Sequence, residues 1–130
     1  MKKTVTVSVV LGLCFLFLVP QASAQDAIFK SFGANLKAKN ASGLTQNLTS
    51  QVNLNLNGEE KSVSKSSASQ AFSSFLSKHP CTGFEISHTG DAGTSCFAIG
   101  KYQHSGGTFR VKLYAKLVNG KYLINEVDIK

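Results

Sequence analysis

Between Asp26 and Lys39 the apolar residues Ile28, Phe32 and Leu36 recur every four positions, with Phe29 beside them. That spacing predicts an amphipathic helix with one buried stripe. Asn40-Ala41-Ser42-Gly43 breaks it, and Leu44 and Leu48 then predict one or two further helical turns. Val52 to Asn57 alternates apolar and polar residues strictly, which predicts a strand that Gly58 ends. Glu59 to Ser64 is polar and charged and reads as a loop. Ser64 is placed to cap a second helix that carries Ala68, Ala71, Phe72, Phe75 and Leu76 on one side and stops at Pro80.

The rest of the chain alternates with a period of two. Phe84 and Ile86, then Phe97 and Ile99, then Phe109, Val111, Leu113 and Ala115 mark successive strands. Gly90-Asp91-Ala92-Gly93, Ser105-Gly106-Gly107 and Asn119-Gly120 separate them as turns, the last with the strongest hairpin signal. In the final strand Leu123, Val127 and Ile129 are assigned to one face, with Tyr122 and Ile124 on the other. Helices come first and a hairpin-linked antiparallel sheet follows, so the fold class is α+β. The expected architecture is a half-open cone. A curved antiparallel sheet of about four strands wraps the N-terminal helix and a second helix, and one of its faces stays solvated.

Residues 1–24 have the pattern of a cleavable export signal. Lys2 and Lys3 precede an apolar run from Val5 to Val19, Pro20 ends the run, and Ala22-Ser23-Ala24 supplies the small residues before a cut. The run is shorter than the roughly 20 residues of a membrane span, and no basic stop-transfer flank follows it. The expected mature protein is a single domain, residues 25–130, periplasmic or secreted, with no stable membrane insertion after cleavage. The chain carries 14 basic against 7 acidic residues, a formal charge of +7, of which Lys2 and Lys3 supply two. The remaining basic residues are scattered and include a single Arg, which argues against nucleic acid as a partner.

Cys81 and Cys96 are the cysteines outside the leader. Compartment favours a disulfide between them. Hairpin geometry opposes it: with Phe97 facing Ile86 and Ile99 facing Phe84, Cys96 falls opposite Ser87. That leaves it about 20 Å from Cys81, against the about 7 Å a disulfide tolerates. The expectation is two free thiols.

The predicted inward positions are Phe29, Phe32, Leu36, Phe72, Phe75, Phe84, Ile86, Phe97, Ile99, Phe109, Val111, Leu113, Leu123 and Val127. None is acidic, His or Tyr, so no catalytic residue, cofactor site or metal site is assigned. The three histidines, His79, His88 and His104, read as isolated. His88, Tyr102, Arg110, Tyr114 and Glu126 form a candidate binding patch on the strands, with Arg110 suited to a carboxylate or phosphate. Solvated cross-strand ion pairs, such as Lys112 or Arg110 with Glu126 or Asp128, account for much of the same pattern.

Several stretches together resemble one family: LKAKNASGLTQNLTSQVNLNL (Leu36 to Leu56), FxIxHxG (Phe84 to Gly90), AIG (Ala98 to Gly100) and TFRVKLYAKLVNGKYLINEVDI (Thr108 to Ile129). They are similar to the domain of unknown function 4783 family, small exported Bacteroidetes proteins, and the likeness spans essentially residues 25–130. The resemblance implies the nuclear transport factor 2-like fold and export after Ala24; it implies no activity. The expected function is therefore a non-enzymatic binding domain for a small apolar ligand or an envelope protein. The alternative is a small isomerase- or hydrolase-type enzyme using the cone pocket, and a homodimer with sheets face to face is a further option.

Overall fold

The computed structural model describes residues 24–130, so the predicted leader before Ala24 lies outside them. Helix α1 (Ala24–Lys37) buries Ile28, Phe29, Phe32 and Leu36 as its spacing requires. Asp26 in its first turn and Lys37 in its last both suit the helix dipole. The Gln25 side chain donates to Asp91 at 3.1 Å and fastens the start of α1 to the sheet. The short α2 (Ala41–Leu44) is capped by Asn40, whose side chain accepts from the Gly43 N–H.

Strand β1 (Leu48–Leu56) buries Leu48, Val52 and Leu54. Asn57 and Gly58, both at positive φ, then turn the chain straight into β2 (Glu59–Ser64). The expected loop is thus a strand. Half of its residues are charged and most are exposed because it forms the sheet's edge, where charge protects unpaired backbone from other chains. Ser64 caps α3 (Lys65–Lys78) by accepting from the Ser67 N–H, and α3 buries Ala68, Phe72, Phe75 and Leu76.

Four more strands follow: β3 (Gly83–Asp91), β4 (Ser95–His104), β5 (Gly107–Val118) and β6 (Lys121–Ile129). The sheet has six strands in the order β2-β1-β6-β5-β4-β3, rather than the four expected. Its pairings are antiparallel except β1 with β6, which makes it mixed. All three described helices lie on one face, with α1 over β3 and β6 and α3 over β1 and β2. Phe32 and Phe72 meet edge-on at 5.9 Å and join the two long helices. Among the described residues no helix is long and apolar enough to cross a membrane.

Two strands take a different phase from the one the alternation predicts. On β4 the buried residues are Cys96, Ala98, Gly100 and Tyr102, while Phe97 and Ile99 lie half-buried on the open face. A bulge at Ser87 is responsible: Phe84 and Ile86 oppose Tyr102 and Gly100 on the covered face, but His88 and Gly90 oppose Ile99 and Phe97 on the other. Small residues are needed inward on β4 because ring and backbone already fill the space. A Cβ on Gly100 would sit 2.6 Å from the Glu85 carbonyl oxygen and 2.9 Å from the Phe84 ring. On β6 a second bulge at Asn125 makes Ile124, not Leu123, the buried residue, while Val127 and Ile129 stay inward as expected.

Candidate functional site

The five residues of the predicted patch do not form one site. Tyr102 is wholly buried on the helix-covered face, opposite to the other four, because of the phase of β4. His88, Tyr114 and Glu126 share the open face around Phe97. The His88 ring lies 5.8 Å from that of Phe97, the Tyr114 ring lies 6.5 Å from it on the other side, and Glu126 is the cross-strand partner of Tyr114. Arg110 is exposed on the same face but opposes Lys101, four residues from Tyr114 and so about 13 Å along the strand. The ion pairs expected across β5 and β6 take another form: Asp128 pairs with Lys130 at 3.9 Å rather than with its register partner Lys112.

A concavity that the sequence did not reveal lies between α3 and the β1–β2 hairpin. It is a cleft of about 140 Å3. Leu54, Leu56, Ala71 and Phe75 supply its apolar floor, and Asn57, Glu59, Lys61, Lys78 and His79 stand around it. Glu59 and Lys61 reach it because alternate residues of β2 turn toward the helices, as their pairing with Leu56 and Leu54 requires. The two pair with each other at 3.9 Å, both largely exposed.

One wall of the cleft continues into an aromatic cluster. Phe75 touches Tyr102 and Phe109 at ring separations of 5.7 and 5.6 Å. His104 stacks on Phe109 at 4.4 Å, and His79 meets both Phe109 (5.1 Å) and His104 (5.3 Å). Two of the histidines that read as isolated are therefore neighbours, joined by the end of α3 and the end of β4. The His104 Nδ1 accepts from the Gly106 N–H at 3.2 Å. The Tyr102 hydroxyl donates to the His79 carbonyl oxygen. Burial pushes that hydroxyl well above the usual phenol range, and nearby Cys81 adds to the rise.

Both described thiols are free and buried. Cys81 donates to the Gly83 carbonyl oxygen at 3.3 Å. Burial raises both thiols above their ordinary 9.0; Lys37 at the end of α1 and Lys39 just beyond it pull Cys81 partly back, and Asp91 and Asp26 add to the rise at Cys96. The two thus sit near opposite ends of α1, whose 14 residues span about 20 Å. The thiols are apart as expected, although Cys96 faces inward and opposes Asp91 rather than Ser87. Among the described residues no group of three His, Cys, Asp or Glu is placed to hold a metal.

The sequence model described as "Domain of unknown function (DUF4783)" matches residues 29–130. A DUF4783 family protein of solved structure from Bacteroides ovatus is 30% identical with a TM-score of 0.72, over 76% of this chain and 90% of that one. Another from Bacteroides uniformis is 27% identical with a TM-score of 0.73, over 78% and 94%. An NTF2-like protein of unknown function from Shewanella baltica shares the fold at 13% identity, with a TM-score of 0.65 over 82% and 90%. No curated protein matches the chain. A shared strand-and-helix frame and a family match from Phe29 to the last residue lead to one conclusion: the chain belongs to the DUF4783 family, on an NTF2-like fold.

Proposed function

We propose that the chain is an exported, non-enzymatic binding domain that takes a small amphipathic ligand into the cleft between α3 and the β1–β2 hairpin. The observation that carries this reading is the make-up of the cleft, an apolar floor ringed by charged side chains at the solvent boundary. Isomerase chemistry in such a fold needs a carboxylate shielded from water and a free hydrogen-bond donor beside it. The carboxylate here, Glu59, has a side chain 74% exposed and pairs with Lys61. The nearby phenol of Tyr102 is committed to the His79 carbonyl. At about 140 Å3 the cleft is smaller than sites that enclose a drug-sized molecule, roughly 300–1,000 Å3. It suits a short apolar group with an anionic end directed at Lys78 and His79.

Short-chain carboxylates from butanoate to octanoate, followed by saturation-transfer NMR, test this. Saturable binding, with a Kd of about a millimolar for ligands this small, is expected. It should disappear in Ala71→Phe, which fills the floor. Absence of saturable binding across the series, or equal binding by Ala71→Phe, would overturn the reading.

A further inference from the structure

Two turns of this sheet are built from the same dipeptide. Asn57-Gly58 joins β1 to β2, Asn119-Gly120 joins β5 to β6, and no other Asn in the chain is followed by Gly. All four residues are exposed, both asparagines sit in the left-handed region at φ of 54° and 51°, and both glycines have positive φ. The surroundings differ. The Gly58 N–H donates to the Asn55 side-chain oxygen at 3.0 Å, and the Asn57 N–H donates to the Ile129 carbonyl oxygen at 2.6 Å, so the first turn is pinned twice. In the second turn the place of Asn55, two residues before the asparagine, is taken by Leu117, whose side chain is exposed and has no acceptor to offer. The second turn also overhangs the sheet: β4 begins opposite Lys116, and the first β6 residue to meet β1 is Ile124. The Leu117 N–H donates to Thr94 at 2.8 Å and the Tyr122 hydroxyl to Gly93 at 2.7 Å; these bonds hold the base of the overhang and leave its tip clear.

We propose that Asn119 is a site of self-modification, at which the chain converts it to aspartate and isoaspartate, while Asn55 protects Asn57 from the same reaction. Water is the only co-reactant. The Gly120 nitrogen loses its proton to solvent base and bonds to the Asn119 Cγ. The Cγ–Nδ2 bond breaks, and that nitrogen takes up a proton and leaves as ammonia. A five-membered succinimide remains. Water then opens the ring at either carbonyl, giving aspartate or isoaspartate, in which the main chain runs through the side chain. Glycine on the attacking side favours the closure, since a Cβ there would crowd the ring. Two demands separate the turns. The attacking nitrogen must shed its proton, which the bond to Asn55 retains at Gly58. The turn must also leave its folded dihedrals to bring nitrogen and Cγ together, and that is easiest where the fewest bonds have to break. Asn119 meets both demands and Asn57 neither. The product places a negative charge two residues from Lys121, and isoaspartate adds a methylene to the main chain at the tightest point of the hairpin.

The test is peptide mapping by mass spectrometry of the chain expressed with its full sequence, purified as the cell processes it and held folded at mildly alkaline pH. Each conversion replaces an NH2 by an OH and adds about one dalton. Asn119 is expected to convert at least about threefold faster than Asn57, the factor that one hydrogen bond supplies. In urea the ratio should shrink toward one, which separates the effect of the fold from that of the flanking residues. Asn55→Ala should raise the Asn57 rate at least about threefold and leave Asn119 unchanged. Asn55→Asp, whose carboxylate still accepts, should keep the protection. Circular dichroism reports whether the Asn55 variants fold, and the wild-type ratio decides the matter where they do not. Equal rates in the folded chain, faster conversion of Asn57, a ratio as large in urea, or an Asn57 rate unmoved in folded Asn55→Ala would overturn the proposal.

Discussion

Leu113→Ala removes a side chain that is 1% exposed at the middle of β5, flanked by Ala98 on β4 and Val127 on β6. Leu-to-Ala truncations in cores cost about 2–5 kcal/mol, and the value depends on how far the surroundings collapse into the gap. Collapse is limited here. Ala98 is too small to reach across, and both neighbouring backbones are held by the ladders on either side of β5. About 3–4 kcal/mol is therefore expected, a large part of the about 5–15 kcal/mol that typically holds a domain together. At about 4 °C per kcal/mol for a domain of this size, the melting midpoint should fall by roughly 12–16 °C. Urea unfolding followed by circular dichroism measures it, with an unchanged slope confirming that the unfolded state is the same. Lys116→Ala, exposed on the other face of the same strand, should stay within about 0.5 kcal/mol. A loss under about 0.5 kcal/mol for Leu113→Ala would mean that β5 does not present this residue to the helices.

The Tyr102→Phe substitution removes the donor to the His79 carbonyl and should cost about 1–3 kcal/mol in the same assay; a neutral result would show that the bond does not form. Gly100→Ala should cost about 1–3 kcal/mol, because its Cβ meets the Glu85 backbone oxygen, which cannot swing aside as a side chain could; stabilisation would refute the close approach of β3 and β4 there. In residues 25–130, alkylation under urea without reductant should label both cysteines, while the folded protein reacts slowly; no labelling would reveal a disulfide. Burial raises both thiols and the Tyr102 phenol, so the folded protein holds protons that the unfolded chain releases first. Stability should be level below about pH 9 and fall above it, and a urea midpoint that rises from pH 8 to 10 would contradict that sign.

Much of the frame was legible because burial writes itself into spacing. The stripes Ile28, Phe32, Leu36 and Phe72, Phe75, Leu76 marked the two long helices, and Asn119-Gly120 marked a hairpin. The same dipeptide at Asn57-Gly58 makes the same kind of turn, with both residues at positive φ. Its second strand went unread because an edge strand is shaped by protection from aggregation and not by burial, and only Val63 keeps an inward apolar side chain. The phase of β4 was read from residue size, with Phe97 and Ile99 taken as core. Packing reversed that choice, since the bulge at Ser87, the Phe84 ring and the Glu85 carbonyl leave room inward only for Cys96, Ala98, Gly100 and the flat Tyr102. The candidate site suffered most. His79 and His104 meet through the third dimension, and Glu59 and Lys61 join the cleft only once β2 is a strand.

The measurement that bears most directly on the binding reading is an amide chemical-shift map of the protein titrated with hexanoate. Shifts that saturate together and centre on Leu54, Lys61, Ala71, Lys78 and His79 are expected, with the open face at Phe97 and Tyr114 unmoved. Saturating shifts centred on that open face, or no shifts at tens of millimolar, would contradict the cleft as the site.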